Sequence, residues 1–198
     1  MRIVQLTGCQ AHGIDISEDA IQTAKAEAQA TGLAERTTFD AVDAGQPLPF
    51  DDDSFDAIVC FDAINHLPDR AERLKDWARV LRPGGRVMFT DNIVVTGPIS
   101  SEEIAIRSSI GFYLFVPPDL DDRLLDEAGF NVIQKRDLTE QIEQVMRNGR
   151  EAYLAREVEL REIEGDEIFD SVCEMREVGI RLSAERRLSR FAYCAQLQ

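Results

Sequence analysis

The sequence predicts an α/β fold in which a mostly parallel, twisted sheet carries helices on both faces. Three observations predict it. Strand-like apolar runs alternate with helix-like runs, acidic residues directly follow or close strand-like runs, and a long helical stretch precedes a final strand. Strands that alternate with helices favour parallel pairing, because a crossover helix returns the chain to the same end of the sheet. Without a repeat, low-complexity tract or linker, residues 1–198 are expected to form one domain.

The first predicted elements are a short strand and the helix that follows it. Residues 10–15 are predicted to be the strand, and Ser17 is the expected N-cap of the helix. Residues 20–30 are rich in strong helix formers, and Gly32 follows as a helix stop. Before the strand, residues 1–7 are expected to be the tail of another helix.

The middle of the chain is predicted to hold short strands around one amphipathic helix. Residues 36–39 form a strand candidate, and the apolar run 55–61 is typical of a strand covered on both faces. A helix over residues 71–81 is expected to stop at Pro83-Gly84-Gly85, before a strand at residues 86–90.

The remainder is predicted to be mainly helical, with two more strands. A helix is expected over residues 120–128 and a strand from residue 130. Residues 139–177 look helical, with breaks at Gly149 and Gly165, and residues 188–195 close the chain as a strand. The long connection between residues 91 and 120 is expected to be a lid, because such connections in compact domains often are.

Composition narrows the classes of partner. The formal net charge of −15 repels phosphate backbones, so nucleic acid is not an expected partner. No apolar run approaches the ~20 residues of a membrane span, so no membrane partner is expected. The four cysteines show no paired spacing, which favours a reducing cytoplasm over a disulfide framework or a zinc site. No metal site is expected.

Acidic residues and a glycine turn form the chain's most informative pattern. Asp15 closes the first strand, where its carboxylate can accept from ribose hydroxyls or simply complement the next helix dipole. Asp43-Ala44 precedes the segment PLPFDDDSFD, residues 47–56, which leads into the apolar run. The segment LRPGG, residues 81–85, precedes the next strand.

These motifs resemble the signature of class I S-adenosylmethionine-dependent methyltransferases, in the type 11 and type 25 branch that acts on small molecules. The resemblance covers residues 8–138. It implies a Rossmann-like methyltransferase fold with a cofactor-binding core at 1–95, a lid and helix at 96–128 and a helical insert at 139–180. It also implies that S-adenosylmethionine is the cofactor.

The resemblance assigns cofactor contacts residue by residue. Asp15 matches the acid that binds the ribose hydroxyls, and Ile16 the residue beside the adenine. Asp43 matches the acid near the adenine amine, with the Ala44 backbone beside it. Phe61 and Asp62 match the segment that lines the methionine part, where backbone carbonyls can accept from the ammonium group.

Four further residues are candidates for the methyl acceptor's site. His66 is either a catalytic base or substrate-orienting group, or a structural histidine that caps the following helix. Asn65 is a polar substrate candidate on the same loop. Tyr113 either lines an acceptor pocket or packs the lid on the core. Arg107 either pairs with a substrate carboxylate or makes a surface salt bridge.

The resemblance also implies a first strand with a glycine-rich loop before Asp15, and the sequence does not contain one. Two hypotheses follow: an N-terminally truncated product, or a rearranged sheet whose halves close up. The expected function is direct in-line methyl transfer to a small-molecule N or O acceptor, by a monomer or homodimer. The alternative is a catalytically impaired relative that acts as a binding or interaction module. A nicotinamide-dependent oxidoreductase suits Asp15 but not the later segments.

Overall fold

The computed structural model describes residues 1–198, which form two compact units, residues 1–50 and residues 51–198. The first unit holds α1 (Arg2–Thr7), β1 (Ala11–Asp15), α2 (Glu18–Ala30) and β2 (Thr37–Ala41). The two strands pair in parallel, in the register that sets Asp15 beside Ala41. The predicted helix tail, first strand and following helix are therefore confirmed.

Local sequence explains two features of this unit. The Ser17 side chain accepts a hydrogen bond from the backbone N–H of Ala20 at 3.2 Å, so it caps α2 as its residue type predicts. Gly13 lies in β1 against the Phe39 ring of β2. A Cβ atom at Gly13 would lie 2.7 Å from Phe39 Cδ1, so only glycine fits without displacing that ring.

The second unit is a four-stranded mixed sheet with six helices. In chain order its elements are β3 (Phe55–Phe61), α3 (Arg70–Val80), β4 (Leu81–Val95), α4 (Ser101–Arg107), α5 (Leu120–Glu127), β5 (Phe130–Asp137), α6 (Thr139–Leu154), α7 (Glu157–Glu164), α8 (Asp166–Ala184) and β6 (Leu188–Leu197). The strand order is β3–β4–β6–β5. β3 pairs with β4 in parallel, whereas β6 is antiparallel to both β4 and β5. The α/β class is confirmed, with a mixed pairing pattern in this sheet.

The core of this unit lies on β4 and β6. Phe89 and Tyr193 are stacked neighbours in the ladder, with ring centroids 4.9 Å apart, and Trp77 of α3 packs edge-on against Phe89. A second cluster joins the end of β4 to α8 through Ile93 and Leu182, both fully buried. Residues of α4 and of the segment after it, Tyr113 among them, pack on this cluster. The second cluster therefore fixes the segment that carries Tyr113.

Burial of β3 differs from the prediction. The apolar run was expected to be covered on both faces, but Val59 and Phe61 are 43% and 56% exposed. The structure explains this, because β3 pairs with β4 alone and has one unpaired edge. In the first unit β1 likewise pairs with β2 alone, in a two-stranded sheet.

Several element boundaries also differ. β4 begins at Leu81 and runs on to Val95, where residues 86–90 were predicted. Within it, residues 82–85 of the LRPGG segment have no partner in β3, because Leu81 pairs with Phe55 and Arg86 already with Ala57. The segment is thus an unpaired bulge, and regular pairing starts at residue 86 as predicted. Part of the expected lid is thus strand, and part is α4, which begins with a capping box between Ser100 and Glu103. Gly149 lies inside α6 and does not break it, whereas Gly165 does separate two helices.

None of the helices has both the length and the apolar character that crossing a membrane requires. All four cysteines carry free thiols.

Candidate functional site

The first unit presents Asp15 on an exposed loop after β1. Its Oδ1 accepts a hydrogen bond from the backbone N–H of Ser17 at 2.9 Å, and its second oxygen has no partner within the protein. Ile16, next to it, is 72% exposed. A carboxylate with a free oxygen is an acceptor for hydroxyl donors. Asp15 therefore fits the contact with a ribose that was predicted for it, and Ile16 offers an apolar surface beside it.

Asp43 occupies the equivalent position after β2. Its Oδ1 accepts from the backbone N–H of Gly45 at 2.8 Å, and its side chain makes no other hydrogen bond. The backbone N–H of Val42 donates to the carbonyl of Asp15 at 2.9 Å, so the loops that carry both acids start side by side. Ala44 is half-buried in this turn. Asp15 and Asp43 thus leave neighbouring strand ends, as the hypothesis of one adenosine site requires.

In the second unit, Asp62 directly follows β3 and is firmly held. Its carboxylate accepts two hydrogen bonds from the guanidinium of Arg190, at 2.9 and 2.8 Å, and a third from the Thr90 hydroxyl at 2.8 Å. Its backbone is left-handed, with φ of 49°. These bonds engage both carboxylate oxygens of Asp62 and hold the loop after β3 in place.

His66 lies on a short 3₁₀ turn, residues 64–66, that follows this loop. Its Nδ1 is 2.7 Å from the carbonyl oxygen of Phe112, and its ring centroid is 4.6 Å from that of Tyr113. A carbonyl can only accept, so Nδ1 carries a proton, and the tautomer that fits this contact has its lone pair on Nε2. The residue is exposed. The geometry therefore provides an oriented imidazole with a free basic nitrogen.

Asn65 connects the same turn to the segment that carries Tyr113. It is fully buried, its backbone carbonyl accepts from the N–H of Leu114 at 2.8 Å, and its side-chain amide donates to Asn92 Oδ1 at 3.1 Å. Its own Oδ1 is buried without a partner. Asn65 thus holds the turn against residues 112–114, which are remote from it in sequence.

Arg107 differs from the surface salt bridge that was one of its two predicted roles. It is only 4% exposed, and no carboxylate lies within salt-bridge distance. Its guanidinium carbon lies 5.2 Å from the ring centroid of Tyr113, and Nη1 is 2.8 Å from the sulfur of Met175. Burial lowers the pKa of the guanidinium from its usual value. The surface salt bridge is wrong, because α4 turns this side chain towards α8.

A cluster of three buried charged residues lies close in sequence to the candidate residues, and its members bond to one another. Arg70 donates to the carboxylates of Asp91 and Asp121, and all three side chains are buried. Burial is the largest cause that raises the pKa of Asp121, to about 6, with the charge of Asp91 adding to it and Arg70 opposing it. The cluster ties the starts of α3 and α5 to β4.

The structure thus groups the predicted residues by unit. Asp15, Ile16, Asp43 and Ala44 lie at adjacent strand ends of the first unit. In the second, Asn65, His66, Arg107 and Tyr113 form one contact chain. Sequence inspection missed Arg190, which lies 128 positions from Asp62. No local pattern could have found that pair, because only the pairing of β4 with β6 brings the two together.

Comparison with known proteins supports one family. A family model described as a methyltransferase domain matches residues 1–89. The O-methyltransferase resE of Aspergillus sclerotiorum is 30% identical over 192 residues, which cover 94% of this chain and 70% of that protein. The methyltransferase GfsG of Streptomyces halstedii is 33% identical over 145 residues, 70% of this chain and 51% of GfsG. The chain thus spans about half the length of GfsG.

A solved structure agrees on the fold. Phosphoethanolamine N-methyltransferase 2 of Haemonchus contortus, determined in complex with S-adenosyl-L-methionine, superposes with a TM-score of 0.82 at 21% identity. The match covers 99% of this chain and 45% of that protein. The chain belongs to the class I S-adenosylmethionine-dependent methyltransferase family.

Proposed function

We propose that the protein transfers a methyl group from S-adenosylmethionine to a nitrogen or oxygen atom of a small molecule. The observation that carries the proposal is the pair of strand-end carboxylates, Asp15 and Asp43, which each keep an oxygen free on neighbouring loops. Adenosine offers donors at its ribose hydroxyls and its amine, and ionised carboxylates only accept. The residues of the first unit therefore fit the cofactor's adenosine.

When bound, S-adenosylmethionine would supply a methyl group on a positively charged sulfur, and that sulfur would leave as a neutral thioether. The protein's own contribution is then mainly alignment, since holding two reactants in line removes most of the entropic barrier. Backbone carbonyls near Phe61 can accept from an ammonium group, and the Arg190–Asp62 pair keeps that loop in place. No covalent bond to the protein is needed.

His66 is the proposed base or orienting group for the acceptor. Its Nδ1–H is held by the Phe112 carbonyl at 2.7 Å, so Nε2 can take the proton of a hydroxyl acceptor. The Tyr113 ring fixes the imidazole plane from the side. An O acceptor would need such a base, and the O-methyltransferase names of similar proteins favour oxygen over nitrogen.

The test is a calorimetric titration of the full chain with S-adenosylmethionine. Asp15→Ala should weaken binding at least about tenfold, because a lost hydrogen bond to a charged group costs about 1.5–3 kcal/mol. Asp52→Ala is the matched control, since Asp52 is an exposed acid paired with Arg79. Equal affinity of both variants would contradict the adenosine site, and a folded chain without affinity would favour the binding-module alternative.

A further inference from the structure

Arg107 has a carboxylate within helical reach and does not use it. Glu103 lies one turn earlier on α4, at the i−4 spacing that favours a Glu–Arg pair. Instead, Glu103 accepts from Arg187 at 2.7 and 2.9 Å and from Arg181 at 3.2 Å. Both of those arginines are more exposed than Arg107. The fold therefore pairs the accessible cations and leaves the buried one without a counter-charge.

Of the two other buried arginines, Arg73 has no carboxylate within salt-bridge distance, whereas Arg70 shows how such a charge can be satisfied. Arg70, 3% exposed, receives two carboxylates, Asp91 and Asp121. A buried ion that lacks a partner costs several kcal/mol, and this chain has 37 acidic residues from which a partner could come. Beside Arg107 lie a thioether sulfur and Tyr113, which contacts it with both ring and hydroxyl, but no carboxylate, and its Nε is buried without any partner.

Space beside Arg107 is kept open by a glycine inside a helix. Gly179 lies within α8, where glycine costs roughly 1 kcal/mol relative to alanine. A Cβ atom at this position would lie 3.3 Å from Arg107 Nε and 3.1 Å from the sulfur of Met146. Glycine therefore lets α8 approach the guanidinium without a methyl group against its unpaired nitrogen.

The guanidinium is also connected to the acceptor residues. Tyr113 contacts Arg107 with its ring, and the same ring contacts His66 at 4.6 Å between centroids. We propose that Arg107 binds an oxyanion of the methyl acceptor, a carboxylate or a phosphate, so that the substrates of this site are organic anions. This inference rests on the proposed function, in which His66 meets the same acceptor.

The surrounding charges set the direction from which an anion arrives. The groove between α4 and α8 is lined by four glutamates and one arginine, with Ile106 and Val178 among its apolar residues. Its acidic lining repels an anion. An anionic group therefore reaches Arg107 from the side of Tyr113, where the acceptor's nucleophile would lie near His66.

The experiment measures binding of two matched phenols to the full chain in phosphate-free buffer without S-adenosylmethionine. The probes are 4-hydroxybenzoate and its neutral analogue 4-hydroxybenzamide. We expect the wild-type chain to prefer the benzoate by about tenfold or more, as a charge-assisted pair would give. Arg107→Met should remove that preference, whereas Arg181→Met, which alters an exposed arginine near the same helices, should keep it. Phenyl phosphate in a third arm separates phosphate from carboxylate preference.

Two further results make the test decisive. Arg107→Met should unfold at the same or a higher urea concentration than the wild type, because it removes a buried charge that has no partner. Gly179→Ala, which keeps all charges, should weaken benzoate binding by crowding Nε. Equal binding of both phenols by wild type and Arg107→Met would overturn the inference, as would a marked loss of stability in Arg107→Met. Failure of S-adenosylmethionine binding alone would contradict only the proposed function.

Discussion

Aspartates that follow strands serve different purposes in the two units. In the first unit, Asp15 and Asp43 are exposed, each bonded only to a backbone N–H two residues along, with one oxygen unengaged. In the second, Asp62 gives both oxygens to Arg190 and Thr90, and Asp91 lies fully buried against Arg70. Asp62 follows β3 as Asp15 follows β1, whereas Asp91 lies within β4. The same residue type is available to a ligand in the first unit and fixed by packing in the second.

The difference teaches that position at a strand end does not by itself identify a ligand-binding acid. What distinguishes the two groups is the presence of a buried or half-buried arginine opposite the carboxylate. An acid whose oxygens are engaged can still matter for function, because it orients the loop on which it lies. Substitutions of the buried or engaged acids of the second unit should therefore act on stability, and those of the exposed acids of the first unit on binding.

Substitution of Asp91 is expected to have the largest effect on the free energy of unfolding. Asp91→Ala removes one partner of Arg70 and the acceptor for the N–H of Ile93, which bonds at 2.9 Å. Because it leaves a buried charge poorly compensated, the free energy of unfolding should fall by about 3–5 kcal/mol in urea titrations. Asp15→Ala should cost less than about 1 kcal/mol, as exposed substitutions do. Similar losses in both variants would break the comparison.

His66 tests whether an exposed side chain of the second unit, held through Nδ1 alone, also acts on a ligand. Replacing His66 with Gln should lower kcat by at least about 100-fold, the lower end of what a positioned base contributes, and leave S-adenosylmethionine affinity unchanged. His12 is the other of the two histidines in the chain, which makes His12→Gln the matched control in the same methyl-transfer assay. If kcat of His66→Gln stays near the wild-type value, His66 has only a structural role.

Asp121 tests the effect of burial through the pH dependence of folding stability. Burial raises its pKa from 3.8 to about 6, so the folded chain binds this proton more tightly than the unfolded chain does. The resulting stability is fully present below pH 4 and is lost as the pH rises through about 6. The Asp121→Asn variant has no titrating group at this position, so its free energy of unfolding does not fall in this way. Relative to the wild type, the variant's free energy of unfolding should therefore rise by on the order of 2 kcal/mol between pH 4 and pH 7.5. Parallel unfolding curves for the two chains over that range would contradict the burial argument.

The smallest expected effect concerns the start of α4. Ser100→Ala removes the hydroxyl that accepts from the N–H of Glu103 at 3.1 Å, and should cost about 1 kcal/mol of unfolding free energy. Glu103 also holds Arg187, so the variant should leave that ion pair intact. A loss well above 1 kcal/mol would show that α4 and Arg107 depend on each other more than the capping geometry indicates.

Sequence alone determined the features that depend on neighbours in the chain. Helix α2 follows from Ser17 and the alanine-rich run, and the loops of Asp15 and Asp43 follow from strand ends, because capping and turns involve residues only a few positions apart. The family resemblance was recognisable for the same reason, since its motifs are short and contiguous. The proline and glycines of LRPGG mark the bulge that precedes the regular pairing of β4, whereas the extension of that strand to Val95 was missed.

Only the tertiary structure decided which of these residues are free and which are engaged. Nothing near Asp62 in sequence indicates Arg190, and nothing near Arg107 indicates that it is buried against Tyr113 and α8. The physical reason is that the environment of a charge is set by groups from other elements. The energy of a carboxylate or guanidinium changes by several kcal/mol between water and a packed interior, so its role follows from those distant neighbours.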